Sequence, residues 1–401
     1  MKLLLYRWGA NNEDVLLKNL IRSGHEVTEC SIKCKNYTQD VELAAAMIEQ
    51  IHRDNTEGII SFNYFPIISM VADVTKITYY SWVYDCPHFT LYAKTAAMPC
   101  NRIGVFDRSI AEGLRSRGIN TVFHLPLAAD TDYWDEVTGS GPNGIKDGPD
   151  CGLHNNKTDR FRCDVSFVGS LYTDEHNYYD MIYPLGRTDP DVENIIDAWC
   201  FNYVNDVSFE EELQRSGALS YAGSQMSELG LMLGPDYEYE PSDIIMPSVF
   251  EKKVTVLERN RLLGAVSEME DIDFRLYTNS KTYIPNKGTV DYKKEMPLVF
   301  NQSRINLNIS LRSIHSGIPL RVIDIMSCGG FVLTNYQSEI AEFFEDNKEV
   351  VIFSSMEECL DKIQYYLEHE DERTAIAEAG LKAVKERFNY SLLEELINQH
   401  R

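Results

Sequence analysis

The sequence predicts an α/β protein of two tandem domains, each a parallel sheet with helices on both faces. Three observations predict this. Short apolar strand patterns alternate with helix-period segments along the first 130 residues, the rhythm of strands joined by crossover helices. The rhythm breaks at 138–160, "TGSGPNGIKDGPDCGLHNNKTDR", which is rich in Gly, Pro, Asn and Asp and reads as a linker or long loop. It then restarts at "RCDVSFVGS". A chain of 401 residues, 44% hydrophobic and 25% charged, is long enough to bury two such cores.

In order, "KLLLYRW" reads as a buried strand, and "EDVLLKNLIRSG" as a helix stopped at Gly24. "HEVTEC" is a strand, "TQDVELAAAMIEQIHRDN" a helix, "GIISF" a strand. "KITYYSWVYD" and "NRIGVFD" are strands, "RSIAEGLRSRG" a Gly-stopped helix, and "NTVFHLPL" closes the series. The first domain is expected to span 1–158 and the second 159–385. Residues 175–266 carry helical patterns, "DVENIIDAWCFNYV" and "VFEKKVTVLERNRLLGAVSEME", without strands, and are expected to form a helical insert. Strands return at "DFRLYTN", "RINLNIS", "GGFVLTN" and "KEVVIF". Ser355 with Glu358, and Ser391 with Glu394, read as capping boxes, the second opening a final helix within 386–401.

Charge excludes one class of partner. The net charge is −24: −5 over residues 1–150 and −19 over 151–401. A nucleic-acid-binding chain needs a basic footprint, so none is expected. Nine scattered cysteines without a CxxC pair predict free thiols rather than a disulfide framework or a zinc site. No apolar run reaches the roughly 18 residues of a membrane span, and "MKLLLYRWG" is too short for a signal peptide. The expectation is a cytoplasmic protein without a metal or cofactor.

Ligands of open parallel sheets bind beyond the carboxyl ends of the strands, so candidate residues are sought there. Gly169 and Ser170 follow "DVSFV", where a Gly lets backbone N–H groups approach a phosphate; a plain turn reads equally well. "HSGIPLRVIDIMSCGGFVLTN" reads as loop, helix and strand, with Pro319 in the favoured first turn. The N–H groups around Gly317, Ile318, Leu320 and Arg321 lie at the positive end of a helix dipole, an anion site to which Arg312 and Arg321 can add charge. Asp324 is placed either to accept from a ribose diol or to pair with Arg321 at i, i+3. In "SWVYDCPHF", Asp85 and His88 are a candidate base or hydroxyl ligand, against the reading of loop groups satisfied locally. "WGANNED", with Trp8 and Gly9, is the matching loop after the first strand. The triplet Asp130–Asp132 follows "LPLAA" and is rejected as a metal site, because short acidic triplets recur by chance.

"SGIPLRVIDIMSCGGFVLTNY", with "DVSFVGSLYTD", "RINLNISLRS", "EIAEFFEDNKEVVIF" and "LPLAADTDYW", resembles the group 1 glycosyltransferases, in particular their CgeB-type, spore-maturation-protein branch. The resemblance implies a GT-B fold: two Rossmann-like domains facing a cleft, the last helix returning to the first domain. It implies transfer of a sugar from a nucleotide-diphosphate donor, a UDP-sugar above all, retaining and without a metal. Asp324 matches the family's ribose-binding carboxylate. The family's other carboxylate falls on Ser316, so His315 and Ser316 are expected to bond the donor sugar, and Ser316 is carried as a catalytic candidate with Asp85 and His88. Arg304 and Arg312 stand in for the family's phosphate-binding pair, and Tyr277, Thr278 and Asn279 are expected near the nucleobase. The acceptor, a glycan, protein or small molecule, is expected near Trp8, Gly9, Asp85 and His88. A nucleotide-sugar epimerase on the same fold, or a degenerate sugar-binding coat-assembly protein, are the alternative readings.

Overall fold

The computed structural model describes residues 1–138, 160–173, 177–184, 189–203 and 208–398. The chain divides into two compact units. The first is Met1–Ala128 with Met232–Glu240 and Tyr390–Arg401; the second is Ala129–Leu231 with Pro241–Asn389.

The first unit holds six parallel strands: β1 (Lys2–Tyr6), β2 (Glu26–Cys30), β3 (Gly58–Phe62), β4 (Thr78–Val83), β5 (Asn101–Val105) and β6 (Val122–His124), in the order β2-β1-β3-β4-β5-β6. Successive side chains of a strand face opposite ways. Leu4 and Tyr6 therefore enter one core with Leu43, Met47 and Ile68, and Leu3 and Leu5 enter another with Ile60 and Trp82. The second core is completed by the helix Leu392–Asn398, which contributes Leu392, Leu393, Leu396 and Ile397. Each such Leu or Ile, fully buried, stabilises by about 1.5–3 kcal/mol.

The helix Pro66–Thr75 between β3 and β4 was not expected. Six of its ten residues are buried, so its sequence has no polar stripe to reveal a helical period. The other expected elements of this unit are present, and Asp40 and Asp107 cap their helices by accepting from Leu43 N and Ile110 N.

The second unit holds five parallel strands: β7 (Cys163–Val168), β8 (Phe274–Tyr277), β9 (Ser303–Asn308), β10 (Val332–Asn335) and β11 (Val351–Phe353), in the order β11-β10-β9-β7-β8. Counted from its own first strand, this is the topology of the first unit. In both, the chain's direction of travel reverses at one place, between β1 and β3 and between β7 and β9. Crevices at such reversals are where open α/β sheets hold ligands.

The division differs from the expected one in three places. The first boundary is at Ala128, not 158; residues 139–159 lie outside the described residues. The helix Thr131–Thr138 belongs to the second unit because Trp134 packs edge-on against Tyr292, Tyr133 Oη bonds Lys293 O, and Asp135 pairs with Lys385 at 2.7 Å. Residues 232–240, expected inside the helical insert, pair with the first unit: Lys94 N donates to Asp236 O and Glu238 N to Tyr92 O. The final segment joins the first unit from Tyr390, where its ring meets Trp82.

Candidate functional site

In the second unit the crevice between β7 and β9 is spanned by Arg259. This residue lies on the helix Glu251–Ser267 and is 7% exposed. Its Nε donates to Ile309 O at 3.1 Å, Nη2 to the same carbonyl and Nη1 to Ser170 O. The guanidinium also lies over the rings of Phe167 and Tyr172. Three of its donors are thus given to neutral carbonyls just past the two strand ends, and burial pulls its pKa down. A guanidinium held by neutral groups keeps its positive field for an anion.

Arg304 and Arg312, expected as the phosphate-binding pair, are instead paired with carboxylates. Arg304 is the second residue of β9, at the amino end of the sheet, where it pairs with Asp164 at 2.9 Å and bonds Leu367 O. Arg312 is consumed by Glu258, whose carboxylate is fully buried, at 2.6 Å, and by Trp199 O, with its guanidinium over Tyr203. Arg259 escaped the sequence reading because Glu258 and Arg259 are adjacent charges on a helix whose apolar residues mark no single face; only packing buries both.

The Gly169 assignment changes as well. Its N–H donates to Tyr277 O at 3.0 Å and is not available to a phosphate. Ser170 Oγ accepts from Tyr172 N and meets Ser280 Oγ at 3.2 Å, so this turn is fastened to the end of β8. There Tyr277 and Thr278 are buried and Asn279 is exposed.

The helix after β9 runs Leu320–Ser327 with Pro319 at its N-cap, one position before the favoured first-turn place. It ends where Gly329 takes φ 71° and Gly330 packs so closely that a Cβ would lie 2.6 Å from Phe300 O. Asp324 faces inward, 2% exposed, with Arg321 Nη1 at 3.7 Å and Tyr292 Oη donating at 3.3 Å. Burial pushes its pKa up to about 6, against the opposing pull of Arg321 and Tyr292. The i, i+3 pair with Arg321 is therefore present. Arg321 also covers Phe300.

The loop ahead of this helix is tied to β10 and to the turn and helix beyond that strand. Ser310 N donates to Asn335 Oδ1 at 2.7 Å, Gln337 Nε2 to Ile314 O, and Glu339 N to Ser316 O. Ser316 is buried, and its hydroxyl donates to Glu339 at 2.7 Å. A carboxylate thus reaches Ser316 from a distant position in the sequence. His315 meets Glu251 at 3.1 Å on the exposed side. Gly317 and Ile318 are buried, and Leu320 is half-buried.

In the first unit the loop after β1 is closed by an acid. Glu13 is 2% exposed; its Oε1 accepts from Trp8 N at 2.8 Å and Gly9 N at 3.1 Å, and its Oε2 meets Arg7 Nε at 3.4 Å. Those N–H groups are already occupied, so this loop offers no backbone anion site. Gly9 sits at φ 105°, a region open to glycine. Past β3, Asn63 takes φ 59° and its side chain organises the end of β4: Oδ1 accepts from Tyr84 N and Asp85 N, and Nδ2 donates to Asp85 Oδ2 at 2.6 Å. Asp85 is exposed and aimed by this clamp. His88 is not a base through Nε2. That atom accepts from Tyr64 N at 3.0 Å and lies 2.7 Å from Thr90 Oγ1, and burial lowers its pKa. It fastens a loop.

Asp130 has an ordinary role: it precedes the helix Thr131–Thr138, and Trp134 N bonds its carbonyl. Among the described residues no group of three or more His, Cys, Asp or Glu side chains converges to hold a metal ion, and no helix is long and apolar enough to cross a membrane.

Residues 259–393 match the family model described as glycosyl transferase-like. The match opens on Arg259 itself and covers β8 to β11. No curated protein matches the chain. Among solved structures it is similar to Anabaena HepE in complex with UDP and glucose (10% identity, 99% of this chain and 98% of that chain covered, TM-score 0.49). It is similar also to T4 phage BGT in complex with its UDP-glucose substrate (12%, 99% and 100%, 0.48) and to sucrose-phosphate synthase from Thermosynechococcus elongatus (9%, 100% and 98%, 0.48). The two parallel α/β units are the two that the sequence predicts.

Proposed function

We propose that this protein is a glycosyltransferase that moves a sugar from a nucleotide-diphosphate donor, a UDP-sugar first among them, to an acceptor hydroxyl, retaining configuration and using no metal ion. The CgeB-like branch and a cytoplasmic setting belong to the same proposal. The observation that carries it is Arg259, a buried guanidinium at the β7/β9 crevice, inside the segment that matches the glycosyl transferase-like model.

In this reading the diphosphate lies against Arg259 and the amino end of the helix Leu320–Ser327. Both stabilise the negative charge that grows on the leaving diphosphate as the bond from the anomeric carbon to its oxygen breaks. Asp324 holds the ribose diol, exchanging its bond with Tyr292 for bonds from the hydroxyls. Ser316, oriented by Glu339, bonds the donor sugar. Asp85 receives the acceptor's hydroxyls in the first unit.

Calorimetric titration with UDP, GDP and ADP tests the proposal. Binding of one of them, lost in Arg259→Gln, is expected; failure of all three to bind the folded protein refutes it. Product analysis separates transfer from epimerisation: an epimerised donor formed without any acceptor would assign the alternative.

A further inference from the structure

The β1/β3 crevice carries aromatic rings that the donor chemistry does not use. Trp8, two residues past β1, is 41% exposed, and Tyr37, in the loop past β2, is 49% exposed. Both are large rings left half in water. They are also fixed. The ring of Phe65, 4% exposed, lies 5.6 Å from Tyr37 in a stacked pair and 6.3 Å from Trp8. Trp8 Nε1 donates to Phe62 O at 3.0 Å, and the carbonyl of Tyr37 accepts from Ile67 N at 2.7 Å. The 232–240 segment adds Tyr237, whose phenol is raised by burial first, then by Asp236, and after these by Tyr37 and Cys34.

A carboxylate accompanies the rings. The phenol of Tyr37 is raised by burial, then by Cys34 and then by Asp85, and Asn63 fixes the orientation of Asp85. Ring faces take the apolar C–H face of a pyranose, while a positioned carboxylate accepts bonds from its hydroxyls. An amphipathic ligand with one apolar face and several hydroxyl donors fits; a polyanion is repelled by Asp85 and by the chain's net charge of −24.

We propose that Trp8 and Tyr37, mounted on Phe65 beside Asp85, form a platform that binds an uncharged saccharide, making the acceptor a glycan. The identity of the ligand as acceptor rests on the transferase reading; the binding itself does not.

The test is saturation-transfer NMR on the full chain with cellobiose, maltose and chitobiose. The wild type should give signal from the ring protons of at least one. Trp8→Ala and Tyr37→Ala should each weaken binding by about tenfold, and Trp8→Phe should restore most of it. No signal from any of the three with the wild type, or unchanged affinity in the two Ala variants, overturns the platform. Tyr37→Ser, at a half-exposed ring, supplies the same reading if Trp8→Ala loses its fold. UDP binding is measured on the same samples. UDP binding without disaccharide binding overturns the platform and leaves the transferase reading standing. Trp8-dependent disaccharide binding without any nucleotide binding supports the platform and removes the transferase reading.

Discussion

At β1/β3 a carboxylate closes the loop after the first strand, and at β7/β9 a guanidinium does. Glu13 takes the backbone N–H groups of Trp8 and Gly9; Arg259 takes the backbone carbonyls of Ser170 and Ile309. The first five strands of each unit have the same order, so topology provides each unit with a crevice in the same place. In the first crevice the acid is itself met by Arg7; in the second the guanidinium is held by neutral carbonyls. The positive crevice suits a diphosphate, and the one with a buried acid, half-exposed rings and Asp85 suits an uncharged, hydroxyl-rich partner.

Variants can break this contrast. The largest effect is expected from Arg312→Ala, which leaves Glu258 buried without its partner; it should lower stability by about 3–5 kcal/mol in urea unfolding. Replacing both residues by Leu should recover much of that loss. If Arg312 were instead a phosphate ligand, its removal would weaken nucleotide binding in a protein of normal stability.

Arg259→Gln tests the positive crevice itself. Stability should fall by about 2–3 kcal/mol as the carbonyls lose a charged donor. UDP affinity should fall by at least the same factor as a lost charge-assisted bond, read by calorimetry at a temperature where the variant is folded. Unchanged affinity would remove the charge from the argument.

Asp324 sharpens the contrast through pH. Its folded pKa of about 6 lies above the ordinary carboxylate value of 3.8. Its contribution to stability is therefore complete below pH 3.8 and is lost as pH rises through 6. Relative to wild type, Asp324→Asn should gain about 2–3 kcal/mol between pH 4 and pH 7. In wild type, UDP affinity should fall as pH drops below about 6, because the protonated carboxyl is a poorer acceptor for the ribose diol. The Asn variant should lack that pH dependence.

The smallest effect belongs to Arg304→Ala. Its pair with Asp164 is partly solvated, so the cost should be about 1 kcal/mol or less, with no change in nucleotide affinity.

Much of this was readable in the chain. The strands from "KLLLYRW" to "KEVVIF" announce themselves by short apolar runs between turn residues. The cap at Ser355 is a local event: its side chain accepts from Glu358 N, and Ser354 N bonds Glu358 Oε2. The helix Leu320–Ser327, its glycine stop and Asp324 within it were legible for the same reason. Arg259, Glu339 and the Asn63–Asp85 clamp were not, because each acts on a group far away in sequence. Ser316 and Glu339 are 23 residues apart and bond at 2.7 Å.

Sequence alone determined the alternation of strand and helix, the two parallel sheets and the carboxyl-end loops that hold most of the candidate residues. These follow from periodicity and capping, which operate over a few residues. Only the tertiary structure decided which charges are spent and which are available. Arg304 and Arg312 are neutralised by distant carboxylates, Gly169 gives its N–H to Tyr277, and Arg259 keeps its charge because its partners are neutral carbonyls. A side chain's charge is written in the sequence, but whether that charge is cancelled depends on what packing brings within a few ångströms of it.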